Sequence, residues 1–167
     1  MSPQPAAKAR PVTPLPLAEE VLGEAGRVVV GVDGSDTSIA ALRWAVREAA
    51  RLEWVVDVVT AWPDRAAVFV RQVPGHHSEH RHRAVAAQRE ALSAVIASEG
   101  SVPAIRTFVE NARPADALMA HSAGASMVVV GASRGDPAGG VGVDRPSRVD
   151  AVRAECPVVV VDEPGRR

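Results

Sequence analysis

The chain has 167 residues, of which 47% are hydrophobic and 23% charged, with a formal net charge of −1; size and composition are those of one soluble globular domain. The balanced charge, the 3% aromatic content and the lack of any Tyr exclude the basic footprint and base-stacking platforms of a nucleic-acid binder. The single cysteine, Cys156, excludes an internal disulfide and fits a reducing, cytoplasmic compartment; no run nears the roughly 18 apolar residues that span a bilayer, and no apolar N-terminal core suggests a secretory signal.

Residues 1–24 read as a disordered, Pro-rich arm. Pro3, Pro5, Pro11, Pro14 and Pro16 forbid a helix or an interior strand there. The domain itself is expected over 25–163, followed by a short tail, 164–167.

The first strand is the β-branched run Val28-Val29-Val30, continuing through Gly31 to Val32. Such an unbroken apolar run suits a strand covered on both faces. Gly31 and Gly34 permit backbone shapes and approaches that a Cβ blocks. Ser35, Asp36, Thr37 and Ser38 then offer caps for a helix over about 37–52, with Ile39, Leu42, Val46 and Ala49 as its apolar stripe. A strand that ends at a free helix N-terminus forms a natural anion site in an open α/β sheet.

Trp54–Trp62 reads as a second strand, stopped by Pro63. A long connection follows, then a helix over about 79–98 with Ala84, Gln88, Ala91, Leu92, Val95 and Ile96 as its stripe. Gly100 is the candidate for its left-handed C-terminal position. Ala104–Val109 is a third strand. Pro114 opens a short helix that runs to Gly124, and Met127–Gly131 is a fourth strand as apolar as the first. A Gly-rich loop over 132–146 leads to a short helix over about 147–155. Val158–Val161 is the last strand.

This alternation implies an α/β fold of three layers: a five-stranded, mostly parallel sheet with helices on both faces. The first and fourth strands are the most continuously apolar and belong side by side in the centre, giving the order 3-2-1-4-5. The connections then reverse direction between them, and a ligand crevice opens at their carboxyl ends. Asp33 from one side, and Gly131, Ser133 and Gly135 from the other, would line it. Asp33 has two readings here, ligand contact or cap of the following helix.

Four segments carry a family resemblance: Val30–Ser35, Leu42–Ala45, Arg113–Leu118, and Met127–Gly131 together with Cys156–Val161. In this order and spacing they resemble the universal stress protein family, over about 26–163. The resemblance implies a homodimer joined through the last strand, and ATP or another adenine nucleotide as ligand in one branch of the family. It implies that Asp33 contacts the nucleoside, that Ala61 lies against adenine, and that Val130 and Gly131 approach the ribose. It also implies a phosphate loop of the form Gly-x-x-Gly, nine residues, Gly-Ser/Thr. Gly31, Ser133, Gly135 and Ser147 complete the expected binding set.

The chain departs from that loop pattern. Three residues separate Gly131 from Gly135, Arg145 stands where the third glycine falls, and Pro146-Ser147 replaces the Gly-Ser pair. Pro146 has no N–H to give a phosphate. Gly135, Gly139, Gly140 and Gly142 still offer backbone amides, and Arg134 and Arg145 offer charge. Ser147 is also the natural N-cap of the last helix. The function expected is therefore a stress-associated regulatory dimer that binds adenine nucleotide. The alternative is a family member without nucleotide, acting through an unidentified protein partner. No enzyme is expected, because the Ser-Gly-Gly-x-Asp-Ser loop of related nucleotide hydrolases is missing at Asp33–Ser38.

His76, His77, His80 and His82 cluster around Glu79. A metal site needs converging ligands held by a second shell, so we read this stretch as a solvated loop and helix entry, with no metal expected. A pH-responsive segment is the other reading. Cys156 reads as a small core residue, and Trp44 and Trp62 as packing at the sheet margins.

Overall fold

A computed structural model describes residues 26–62, 79–132 and 154–162. The elements run β1 (Arg27–Gly31), α1 (Asp36–Leu52), β2 (Val55–Ala61), α2 (Glu79–Ser98), β3 (Ile105–Glu110), α3 (Pro114–Ser122), β4 (Met127–Gly131) and β5 (Val158–Val161). The strands form one sheet, ordered β3-β2-β1-β4-β5, with every pairing parallel. The expected order and the central β1–β4 pair are both present.

The alternation of side chains along each strand divides the core in two. Val28, Val30, Val56, Val58 and Val129 face α1 and α2, packing on Leu42, Val46 and Val95. Val29, Val59, Val128 and Val130 face α3, packing on Ala117 and Leu118. Two outward steps, β1 to β2 to β3, put α1 and α2 on one face. The return to β4 puts α3 on the other, as right-handed crossovers require. Each buried Val or Leu contributes about 1.5–3 kcal/mol, so the valine runs alone account for most of the hydrophobic driving force.

One buried charge interrupts these valines. Asp57, in the middle of β2, is 0% exposed. Arg106 of β3, its register partner, grips it with Nε at 2.7 Å and Nη2 at 2.8 Å. Arg27 of β1 donates from Nη1 at 2.8 Å. The same Arg27 also donates to the carbonyls of His121 and Ala123, at the end of α3, where a cation suits the helix dipole. Burial pushes the Asp57 carboxyl up, but the two guanidinium groups outweigh it and hold it below the usual carboxylate range.

Two expectations change, and a third lies almost wholly outside the described residues. Gly100 does not take a left-handed conformation; among the described residues outside glycine that role falls to Glu53, the C-cap of α1, at φ 57°. Ile96, placed in the apolar stripe of α2, is 43% exposed, because the buried face of the helix runs through Gln88, Ala91 and Val95 and Ile96 falls beside it. The short helix expected over 147–155 falls outside the described residues except at Ala154 and Glu155, and these two are not helical. The N-terminal arm and the Gly-rich loop lie outside the described residues.

Candidate functional site

The chain leaves β1 through Val32, whose N–H donates to Val59 O at 2.9 Å, and so carries Asp33 just past the sheet edge. Gly34 then turns at φ +87°, a conformation that favours glycine. Ser35 is the N-cap of α1: its Oγ accepts the N–H of Ser38 at 3.3 Å. Asp33 is not the cap. It braces the cap, with Oδ1 accepting the Ser35 N–H at 2.9 Å, while its own N–H donates to Ser38 Oγ at 3.3 Å. Burial pushes the Asp33 carboxyl up, but hydrogen bonds from the Ser35 side chain and backbone and from Ser38 outweigh it, so the group stays ionised below the usual range.

Asp33 lines a cavity of about 270 Å³. The tip of β2 supplies Thr60, Ala61 and, just beyond it, Trp62 as one wall. The other wall is α2, through His80, Arg83, Ala84 and Ala87. Those four positions fall at i, i+3, i+4 and i+7, so they share one helix face. Ala87 is small because the β1 turn tucks against it: a Cβ on Gly34 would stand 3.2 Å from the Ala87 Cβ. Gln88 anchors the wall. Buried, it donates from Nε2 to Val58 O at 3.2 Å, Thr60 Oγ1 at 3.1 Å and Phe108 O at 3.0 Å. The Trp62 Nε1–H is buried and meets no hydrogen-bond partner among the described residues.

The structure thus brings together two of the residues expected to bind nucleotide, Asp33 and Ala61, with His80 of the histidine cluster. Gly31 has its Cβ direction aimed at Leu118, 3.2 Å away, on the α3 side of the sheet. Val130 is buried in the same cluster. Gly131, at the tip of β4, abuts the first turn of α1. Ser133, Gly135 and Ser147 lie outside the described residues. His80, Arg83, Ala84, Ala87 and Gln88 are site residues that strand-end reasoning passes over. His80 stands out in the sequence only as part of the histidine cluster and Ala84 and Gln88 only as stripe positions, and the i, i+3, i+4, i+7 spacing of the first four is the one signal that joins them. Among the described residues no group of His, Cys, Asp and Glu is placed to hold a metal ion. Cys156 packs on the α3-side core, where burial raises its thiol above the usual range. No helix among the described residues is long and apolar enough to cross a membrane.

Comparison with known proteins agrees with this architecture. The model of the universal stress protein family matches residues 24–162. Universal stress proteins from two Mycobacterium tuberculosis strains are 33% identical over 145 residues, covering 80% of this chain and 47% of theirs. The chain thus spans about half the length of these curated relatives. Among solved structures, a universal stress protein in complex with cAMP is 28% identical with a TM-score of 0.60, over 81% of this chain and 96% of that one. A universal stress protein from Archaeoglobus fulgidus shares the fold at 24% identity and a TM-score of 0.58, over 81% of this chain and 93% of its own. The five parallel strands in this order, the Asp-bearing turn after β1 and the match along nearly the whole domain lead to one conclusion: the chain belongs to the universal stress protein family.

Proposed function

We propose that the chain binds an adenine nucleotide at the carboxyl ends of β1 and β2, and acts as a homodimeric stress regulator by binding rather than by turnover. The observation that carries this reading is the Asp33 carboxylate. It is held ionised by the turn that caps α1, and it faces a cavity walled by Ala61 and α2. A carboxylate so placed accepts hydrogen bonds from a ribose hydroxyl or a base amine. The Trp62 Nε1–H beside the cavity, without a partner among the described residues, adds a donor that a ligand acceptor would satisfy. The relative at 28% identity is described as a cAMP complex, which supports the same ligand class. Dimerisation is read from β5, the edge strand among the described residues, whose Val160 is 47% exposed and whose outer side could pair with a second copy.

Isothermal titration of the full chain with AMP, cAMP and ATP tests the reading, alongside an Ala84→Leu variant that fills the cavity. Saturable heat that Ala84→Leu abolishes supports it. Absence of heat at millimolar ligand overturns it. The departures of the phosphate loop from the family pattern, at Arg145 and Pro146, favour the second reading, a member that works through a protein partner alone.

A further inference from the structure

We infer that the Trp62 indole reads the base of the bound nucleotide, its Nε1–H donating to a ring nitrogen of the purine. This assignment rests on the nucleotide reading above and extends it to the choice of base. The main chain fixes where the indole stands: the Trp62 N–H donates to Glu110 O at 2.9 Å, which carries the β2–β3 pairing one residue past Ala61. Side chains two apart along a strand share a face, so Trp62 follows Thr60 onto the side that Gln88 of α2 touches. Thr60 Oγ1 already accepts from Gln88, at 3.1 Å. The Trp62 Nε1–H is buried and meets no partner among the described residues. Buried donors are nearly always paired, because an unpaired one forfeits its bond to water, and an exception beside a cavity points to a bond made on binding.

A purine base fits the surroundings of this donor. Asp33, Ala61 and Trp62 line one cavity of about 270 Å³. That is below the range of about 300–1,000 Å³ for pockets that enclose a whole drug-sized ligand, so the cavity seats the base while ribose and phosphate lie outside it. The ionised Asp33 carboxylate only accepts and the indole only donates. A base that turns an amine or its ribose hydroxyl to the first and a ring nitrogen to the second satisfies both. Asp33 repels an anion in the same cavity, so the acceptor is a neutral ring nitrogen and not a phosphate oxygen. On adenine the candidates are N1, N3 and N7.

The test titrates AMP and its 1-deaza, 3-deaza and 7-deaza analogues into the full chain and into Trp62→Phe by calorimetry. Each analogue replaces one ring nitrogen by C–H, and Trp62→Phe removes the donor while keeping an aromatic ring. In the unmodified chain at least one analogue is expected to bind on the order of tenfold more weakly than AMP, because it leaves the buried donor unpaired. In Trp62→Phe the AMP affinity should weaken toward that of this analogue, and their ratio should fall to about one, as expected when substitution and analogue remove the same bond. The other ratios should not change. If no analogue is weaker than AMP, or if every penalty survives Trp62→Phe, the assignment is overturned and nucleotide binding stands. The first of these outcomes needs no variant, so it holds even where Trp62→Phe fails to fold. Absence of heat with AMP overturns the assignment, and absence with cAMP and ATP as well overturns the reading beneath it.

Discussion

Gly131, at the tip of β4, sits so close to Thr37 of α1 that a Cβ on it would stand 2.5 Å from the Thr37 carbonyl carbon. The contact is with backbone, so no side chain can swing aside. This glycine is needed for packing: it lets β4 and the first turn of α1 meet at the centre of the sheet. Gly131→Ala is expected to cost about 1–3 kcal/mol, the usual range for overpacking, and Gly131→Val more. Urea denaturation followed by circular dichroism measures it. A neutral Gly131→Ala would show that α1 and β4 are not tightly seated.

Asp57 gives a sharper stability prediction. Removing it leaves Arg27 and Arg106 without their shared anion inside the sheet. Breaking a buried pair in this way typically costs about 3–5 kcal/mol, and Asp57→Ala should fall in that range. Replacing Arg106 alone should cost less, because Arg106 is partly exposed and Arg27 still meets the carboxylate. Thermal unfolding of the two variants, compared at equal pH, gives the order.

The same group sets a pH dependence. Its carboxyl lies below the ordinary range in the folded chain, so the unfolded state binds the proton more readily. The stabilisation is therefore complete above the unfolded value of about 4, and is lost as pH falls through the lower folded value. Asp33 is shifted in the same direction and adds to the effect. Stability should be flat above about pH 5 and fall below it, more steeply in the unmodified chain than in Asp57→Asn. Equal slopes in both would remove Asp57 as the cause.

Much of this fold is legible in the sequence. The valine runs, the capping cluster after β1 and the alternation of periods give the strands, the helices and the β1–β4 pairing without coordinates. The Asp57 cluster is not legible in the same way. An aspartate inside a valine strand is conspicuous, but its partners come from two other strands, and only the register identifies Arg106. Much the same holds for the cavity. Strand ends announce Asp33 and Ala61, because a chain leaving a parallel sheet exposes its carboxyl end. Arg83 and His80 belong to a helix that reads as solvated, and their place opposite Asp33 depends on how α2 docks. Gln88 decides that docking, through contacts with main-chain carbonyls that no side-chain pattern encodes.

Gln88 can be tested directly. Gln88→Leu keeps the volume and removes the amide that joins Val58 O, Thr60 Oγ1 and Phe108 O. Val58 O and Phe108 O keep their partners in the β2–β3 ladder, so the loss of a buried hydrogen bond, about 0.5–1.5 kcal/mol, is the expected cost, and the α2 wall of the cavity should loosen with it. Hydrogen exchange is expected to rise in α2 and at the β2 tip while β4 stays protected. Unchanged exchange in α2 would show that the amide does not hold the wall.

The β5 edge predicts the assembly. A charge at Val160 points into the surface proposed to meet a second copy, and lysine is a common guard of exposed edges. Val160→Lys should shift the sedimentation coefficient from dimer to monomer with the far-ultraviolet spectrum unchanged. An unmodified chain that sediments as a monomer at micromolar concentration would end the dimer proposal.

The most direct test of the central claim is calorimetric titration of cAMP into the full chain and into Asp33→Ala. The account predicts saturable heat for the unmodified chain and a loss of at least tenfold in affinity for Asp33→Ala, since hydrogen bonds to a charged group contribute about 1.5–3 kcal/mol. Equal affinity in both chains, or no heat in either at millimolar cAMP, would contradict it.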